Sequence, residues 1–224
     1  MNPAAFFNGV FMEITLQQVS PVFLEKEKIN QSQIWNKELV FKKGEKIQLV
    51  APSGSGKTSF IHFLYRLRKD YSGNILFNNK NIRHFSAEET AQCRSSQLSI
   101  VFQDLRLFAE HSAQENIHIK KILNPFLNAL SIKEMAERLG IGNKLHQPAG
   151  ICSYGEQQRI AIIRALQQPF DFLILDEPFS HLDEANSRKA MALIEEEVEK
   201  RNAGTILTDL SEVAIYKADR TIRM

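Results

Sequence analysis

The chain is poor in the features that mark several protein classes. It has two cysteines in 224 residues, Cys93 and Cys152, far apart and outside any metal-ligand spacing. That excludes a disulfide framework and a cysteine-based zinc site, and it fits a reduced, cytosolic protein. Charge of either sign is not in excess, with 28 basic residues against 26 acidic ones. Pairs such as Lys42-Lys43 and Lys120-Lys121 read as solvated faces, so nothing here makes an electrostatic footprint for nucleic acid. No apolar run approaches the ~20 residues needed to cross a bilayer. The N-terminus carries Ala4-Ala5-Phe6-Phe7 but neither a basic leader nor a full apolar core, which makes it a poor signal peptide. Internal repeats and low-complexity linkers are also missing. Residues 1–11 read as a dispensable extension, and residues 12–224 as one domain with length enough to bury a substantial core.

What is present is an alternation of short strands and helices. Ile14 to Val19 alternates like a half-buried strand, and Glu38 to Phe41 looks like another. Asn74-Ile75-Leu76-Phe77 enters a turn at Asn78-Asn79, and Ser99 to Phe102 is a compact apolar strand. Ile132 to Gly140 has helical period with a glycine stop. Phe172-Leu173-Ile174-Leu175 is apolar throughout, the pattern of a parallel strand covered on both faces. Ala190 to Arg201 is helical, and Thr205 to Thr208 adds a strand. The order implies an α/β fold around a mainly parallel sheet.

Two segments carry chemistry. Lys46 to Val50 is a strand; Ala51-Pro52-Ser53-Gly54-Ser55-Gly56-Lys57-Thr58-Ser59 follows, and a helix opens near Thr58. This is the order of a P-loop. Glycines let backbone N–H groups curl around a polyphosphate, Lys57 reaches the β/γ-phosphates, and the Thr58 hydroxyl can bind Mg²⁺. The helix start adds its positive dipole end. Ala51 stands where the usual pattern has its first glycine, at the strand end rather than over the phosphates. A Gly/Ser turn beside a surface lysine is the blander account, and the strand before and apolar helix after argue against it. The second segment is Asp176-Glu177 at the tip of the apolar strand. Asp176 can hold Mg²⁺ opposite Thr58, and Glu177 can polarise a water in line with the γ-phosphate.

A third segment, Ser153-Tyr154-Gly155-Glu156-Gln157-Gln158-Arg159, opens a helix with a capping box of Ser153 and Glu156. It resembles the signature motif of ABC-type ATPases, Leu-Ser-Gly-Gly-Glu-Gln-Gln-Arg, with Cys152 for the leucine and Tyr154 for the first glycine. The resemblance runs from Met12 over nearly the whole chain. Gln103 matches the Q-loop glutamine, which in that family senses metal and γ-phosphate, and Ser180-His181-Leu182-Asp183 looks like the D-loop. Phe23 lies where the family sets an aromatic residue against adenine; a Phe there serves a core equally well. Arg94 to Gln103, with Glu115-Asn116-Ile117, is similar to the small subunits of lipoprotein-release, macrolide-export and cell-division machines.

The resemblance implies a P-loop NTPase core with an N-terminal antiparallel β subdomain and an inserted α-helical subdomain at about 104–153. It implies ATP and Mg²⁺, the metal held by Thr58, Gln103 and Asp176, with Glu177, Gln103 and Lys57 catalytic. It also implies a head-to-tail homodimer in which Ser153, Tyr154, Gly155, Glu156 and Gln157 meet the ATP of the other copy. The chain would power a separate integral membrane permease from the cytoplasmic, inner face of the membrane, the coupling helix entering near Gln103. One departure stands out. Counting back from Ala218-Asp219-Arg220, the family's switch histidine is Asp209 here. A histidine can donate to phosphate and an ionised aspartate cannot; His181 has no evident duty in its place. A second reading follows, an ATP-gated regulatory subunit of a membrane complex with little hydrolysis.

Overall fold

The computed structural model describes residues 12–124, 126 and 130–224; the expected extension at residues 1–11 lies outside them. In chain order come β1 (Glu13–Pro21), α1 (Lys26–Gln31), β2 (Glu38–Lys42), β3 (Lys46–Val50), α2 (Lys57–Leu64), β4 (Tyr71–Phe77), β5 (Lys80–Asn81), α3 (Ala87–Ser96) and β6 (Leu98–Val101). Then follow α4 (Ala113–Leu123), α5 (Ile132–Arg138), α6 (Tyr154–Leu166), β7 (Phe172–Asp176), α7 (Glu184–Arg201), β8 (Gly204–Asp209) and β9 (Arg220–Arg223).

Two sheets form. An antiparallel sheet runs β2-β1-β4-β5, and its β4–β5 hairpin turns on Asn78 and Asn79 at φ 48° and 64°. Tight hairpins need positive φ at both central positions, and asparagine tolerates it. The central sheet runs β6-β7-β8-β3-β9 with every pairing parallel. Its apolar run on β7 divides by alternation. Phe172 and Ile174 join the cluster under β1, β2 and α2, while Leu173 and Leu175 join the cluster under α4 to α7. A sheet covered on both faces is why this strand carries no polar position before Asp176.

Helix starts are set locally. Ser86, Ser112 and Ser153 each begin a helix with a complete capping box, and Asp183 caps α7 by accepting from Asn186 N at 2.7 Å. Such caps are each worth about 1 kcal/mol. The parallel arrangement brings the loops after β3, β6, β7 and β8 to one edge of the sheet, where open α/β sheets bind ligands.

Candidate nucleotide site

The loop after β3 is tied at both ends. Ala51, fully buried, donates its N–H to Asp209 O at 2.9 Å, and α2 starts at Lys57. Gly54 and Gly56 take φ of 77° and 94°, a conformation that costs other residues. Gly56 has a second constraint, because an added Cβ would lie 3.0 Å from the Trp35 ring. Trp35 is buried, packs edge-on to Phe60 and Phe63, and donates Nε1–H to Ser55 O at 2.9 Å. The sequence marks Trp35 only as the chain's single tryptophan, set in a polar stretch.

Pro52, Ser53, Gly54, Gly56, Lys57, Thr58 and Ser59 line a cleft of about 310 Å³ together with Phe23, Gln103, Glu177 and Leu210. Phe23 is 52% exposed at this rim with Arg68 over its ring at 4.6 Å, so it is not a core residue. Lys57 is buried and its ammonium is ion-paired with the Glu177 carboxylate. Burial pushes the Lys57 ammonium down from its usual range, and the nearby Asp176 and Asp209 carboxylates oppose that.

A second cleft, about 340 Å³, adjoins the first through Thr58 and Gln103 and includes Asp176 and Tyr154. Asp176 Oδ1 accepts from Thr208 Oγ1 at 2.8 Å, and burial raises its carboxyl above the usual carboxylate range. A hydroxyl, a carboxylate and an amide oxygen on one small cleft are hard donors. Among the described residues no cluster of three or more His, Cys, Asp or Glu is placed to cage a metal. This set fits Mg²⁺, which keeps waters and takes substrate phosphate oxygens rather than a full protein shell.

Glu177 is held at φ 47°, a left-handed conformation for a residue with a side chain. Strain of this kind costs on the order of 1–3 kcal/mol and persists only when its surroundings over-determine it. Here its N–H donates to Thr208 O at 2.9 Å, and its carbonyl accepts from Gln158 Nε2 and from Ser180 Oγ, both at 3.1 Å. Its Oε2 accepts from Gln103 Nε2 at 3.2 Å. Gln158, fully buried, stands in the signature-like segment, which by itself gives no hint of this contact with Glu177.

The remaining predicted residues lie on the signature helix and the loops beside it. Ser153 Oγ accepts from Glu156 N at 3.3 Å, Glu156 Oε2 accepts from Ser153 N at 2.8 Å, and Gln157 Nε2 donates to Cys152 O at 2.9 Å. Ser153 and Tyr154 are exposed at this helix start, and Gly155 is half-buried behind them. Asp183 is engaged as the α7 cap. Asp209 ends β8 opposite Val50, and its Oδ1 accepts from Leu210 N at 2.7 Å. It is Leu210, not Asp209, that lines the P-loop cleft, while the Asp209 charge is felt at both Lys57 and Asp176.

Similarity to known proteins agrees with this geometry. The sequence profile of the ABC transporter family matches residues 35–180. The lipoprotein-releasing system ATP-binding protein LolD of Legionella pneumophila (strain Lens) is 33% identical over 193 residues, covering 83% of each chain. The macrolide export ATP-binding/permease protein MacB of Nitrosomonas europaea is 31% identical over 190 residues, covering 84% of this chain but 29% of that longer one. In fold, the dimeric ABC transporter cassette MJ0796 superposes with a TM-score of 0.78 over 94% of both chains at 24% identity. The chain belongs to the ABC transporter family, as one of its ATP-binding cassettes.

Proposed function

We propose that this cassette hydrolyses ATP with Glu177 and thereby powers a separate membrane permease. The observation that carries the proposal is the convergence of Lys57, Thr58, Gln103, Asp176 and Glu177 on two adjoining clefts at one edge of the parallel sheet. Lys57 and Glu177 neutralise each other in the structure. A triphosphate cradled by residues 51–59 competes for the ammonium, and Glu177 is then free to take a proton from an attacking water. Gln103, bonded to Glu177 Oε2, keeps that carboxylate aimed. Thr58, Gln103 and Asp176 would hold Mg²⁺, which would supply positive charge to offset that of the phosphates. Phe23 at the cleft rim offers a ring face for adenine.

The exposed start of the signature helix is an anion site by its unsatisfied N–H groups and dipole. A second copy placed head to tail would bring its ATP to Ser153, Gly155, Glu156 and Gln157, with Ser180 and Asp183 of the D-loop alongside, while the Tyr154 side chain turns to Gln103 O and His181 of its own subunit. ATP then joins two copies, and hydrolysis removes part of the bridge, a population shift from differential contacts. Among the described residues no helix is long and apolar enough to cross a membrane. Coupling to a bilayer would go through a partner, as relatives such as MacB are named for both an ATP-binding and a permease part. We place that contact where residues 104–153, the helical subdomain, meet the core near Gln103. A cleft of about 170 Å³ lies there, with Phe102, Phe108, Lys120 and Arg164 in its wall. Arg106 and Arg164 beside Lys120 make its wall cationic as well as apolar, and burial, with the Arg164 and Arg94 charges, pushes the Lys120 ammonium down to about 8. The cassette would sit on the cytoplasmic face of the inner membrane.

The sandwich is tested with Glu177→Gln at saturating ATP and Mg²⁺ by analytical ultracentrifugation. A stable dimer carrying one ATP per chain is expected. ATP-loaded monomer would argue against a nucleotide bridge between copies.

A further inference from the structure

The contacts around Glu177 close into a ring through a residue that departs from the family signature. Gln103 Nε2 donates to Glu177 Oε2 at 3.2 Å, and Gln158 Nε2 donates to the Glu177 carbonyl at 3.1 Å. Gln158 Oε1 in turn accepts from His181 N at 3.1 Å. The circuit is completed by Tyr154. Its ring meets the His181 ring edge-on, centroids 4.1 Å apart, and its hydroxyl donates to Gln103 O at 3.5 Å. Gly155 makes the approach possible, since a Cβ there would lie 2.9 Å from His181 O. The Q-loop, which bonds the Glu177 carboxylate, and the D-loop, which follows Glu177 in the chain, are thus bridged by one side chain from the signature helix.

We infer that Tyr154 and His181 form a clasp holding the Q-loop and D-loop around Glu177, so that Tyr154 is a positioning residue for hydrolysis within its own subunit. The inference rests on the ATPase reading above. Physically, the edge-on ring pair is the stronger contact and the long hydroxyl bond the weaker one. A glycine at position 154 would remove both. His181 gains a structural duty as the other half of the clasp. Restoring the glycine usual to the family should therefore harm this chain, because its D-loop carries the histidine that the tyrosine packs on.

The test compares Tyr154→Gly, Tyr154→Phe, His181→Ala and the double variant Tyr154→Gly/His181→Ala. Two readouts are taken, kcat and KM for ATP and backbone hydrogen exchange over residues 103–106 and 180–183. Tyr154→Gly and His181→Ala should each lower kcat about three- to tenfold with KM within about twofold of the parent. Tyr154→Phe, which keeps the ring contact, should retain most of the turnover. The double variant should be no worse than Tyr154→Gly, because both changes open the same contact. Exchange should rise in both loops in Tyr154→Gly. Raised KM at unchanged kcat would put Tyr154 on the nucleotide of a second copy instead and overturn the clasp, as would losses that add in the double variant. If the parent shows no more turnover than Glu177→Gln, the ATPase reading fails by itself. Exchange then decides the clasp, with unchanged loops in Tyr154→Gly refuting it.

Discussion

Two strand tips meet at the nucleotide site, and the chain bends after each by different means. After β3 it turns on Gly54 and Gly56, residues free to adopt positive φ, and a buried tryptophan braces the turn from outside through Ser55 O. After β7 it turns at Glu177, which pays for its left-handed backbone with bonds from Gln158 and Ser180 and to Thr208 O. The first tip has a shape ready for a ligand's phosphates. The second holds a reactive carboxylate in a strained pose that depends on its neighbours. Loosening the brace of the first should weaken binding; loosening that of the second should slow chemistry.

The largest effect is expected at Trp35. Trp35→Ala should cost about 3–5 kcal/mol of stability, because it empties a packed aromatic site beside Phe60 and Phe63. Trp35→Phe separates packing from the bond to Ser55 O and should cost about 1 kcal/mol, with ATP bound severalfold more weakly. Urea unfolding and calorimetric titration measure both, and unaltered ATP affinity in Trp35→Phe would mean the loop holds itself. Next comes Gln158→Leu, close in size but unable to bond to Glu177 O or His181 N. Glu177 O keeps its bond from Ser180 Oγ, but the His181 N–H loses its partner, and the two lost bonds should cost about 1–3 kcal/mol. Its kcat should fall by about tenfold with ATP affinity kept, and weakened ATP binding with normal kcat would erase the contrast between the tips. The smallest effect is expected at Asp209, whose charge reaches Lys57 and Asp176 from the end of β8. Asp209→His removes a negative charge near the phosphates and adds a donor, so turnover should rise by about two- to tenfold. Equal or lower turnover would show that this position does not limit the rate.

How much could be read from the chain follows the same contrast. Residues 51–58 were legible because glycine spacing, Lys57 and Thr58 are local requirements of a phosphate loop. The β7 strand was legible because burial on both faces leaves no polar residue before Asp176. The turn after β4 is visible in Asn78-Asn79, the residues that positive φ demands, whereas the two-residue β5 that closes the hairpin is too short to read. The short α1 and β9 carry no periodic pattern long enough to read. Trp35 and Gln158 escaped for a different reason. Each acts through long-range contacts, 20 residues away in one case and 19 in the other, that no local spacing encodes. The tyrosine at 154 showed in the sequence only as a departure; its partner His181 becomes evident once the two loops are side by side.

The measurement that bears most directly on the account is steady-state ATP hydrolysis by the chain and by Glu177→Gln, each with Mg²⁺ and with ATP binding measured in parallel. The account predicts turnover in the parent and at least a hundredfold loss in Glu177→Gln with ATP still bound, on the order expected for removing a catalytic base. Equal turnover in the two proteins would place the chemistry elsewhere. Equal absence of turnover, with ATP bound by both, would contradict hydrolysis by the chain and favour the ATP-gated subunit that Asp209 suggests.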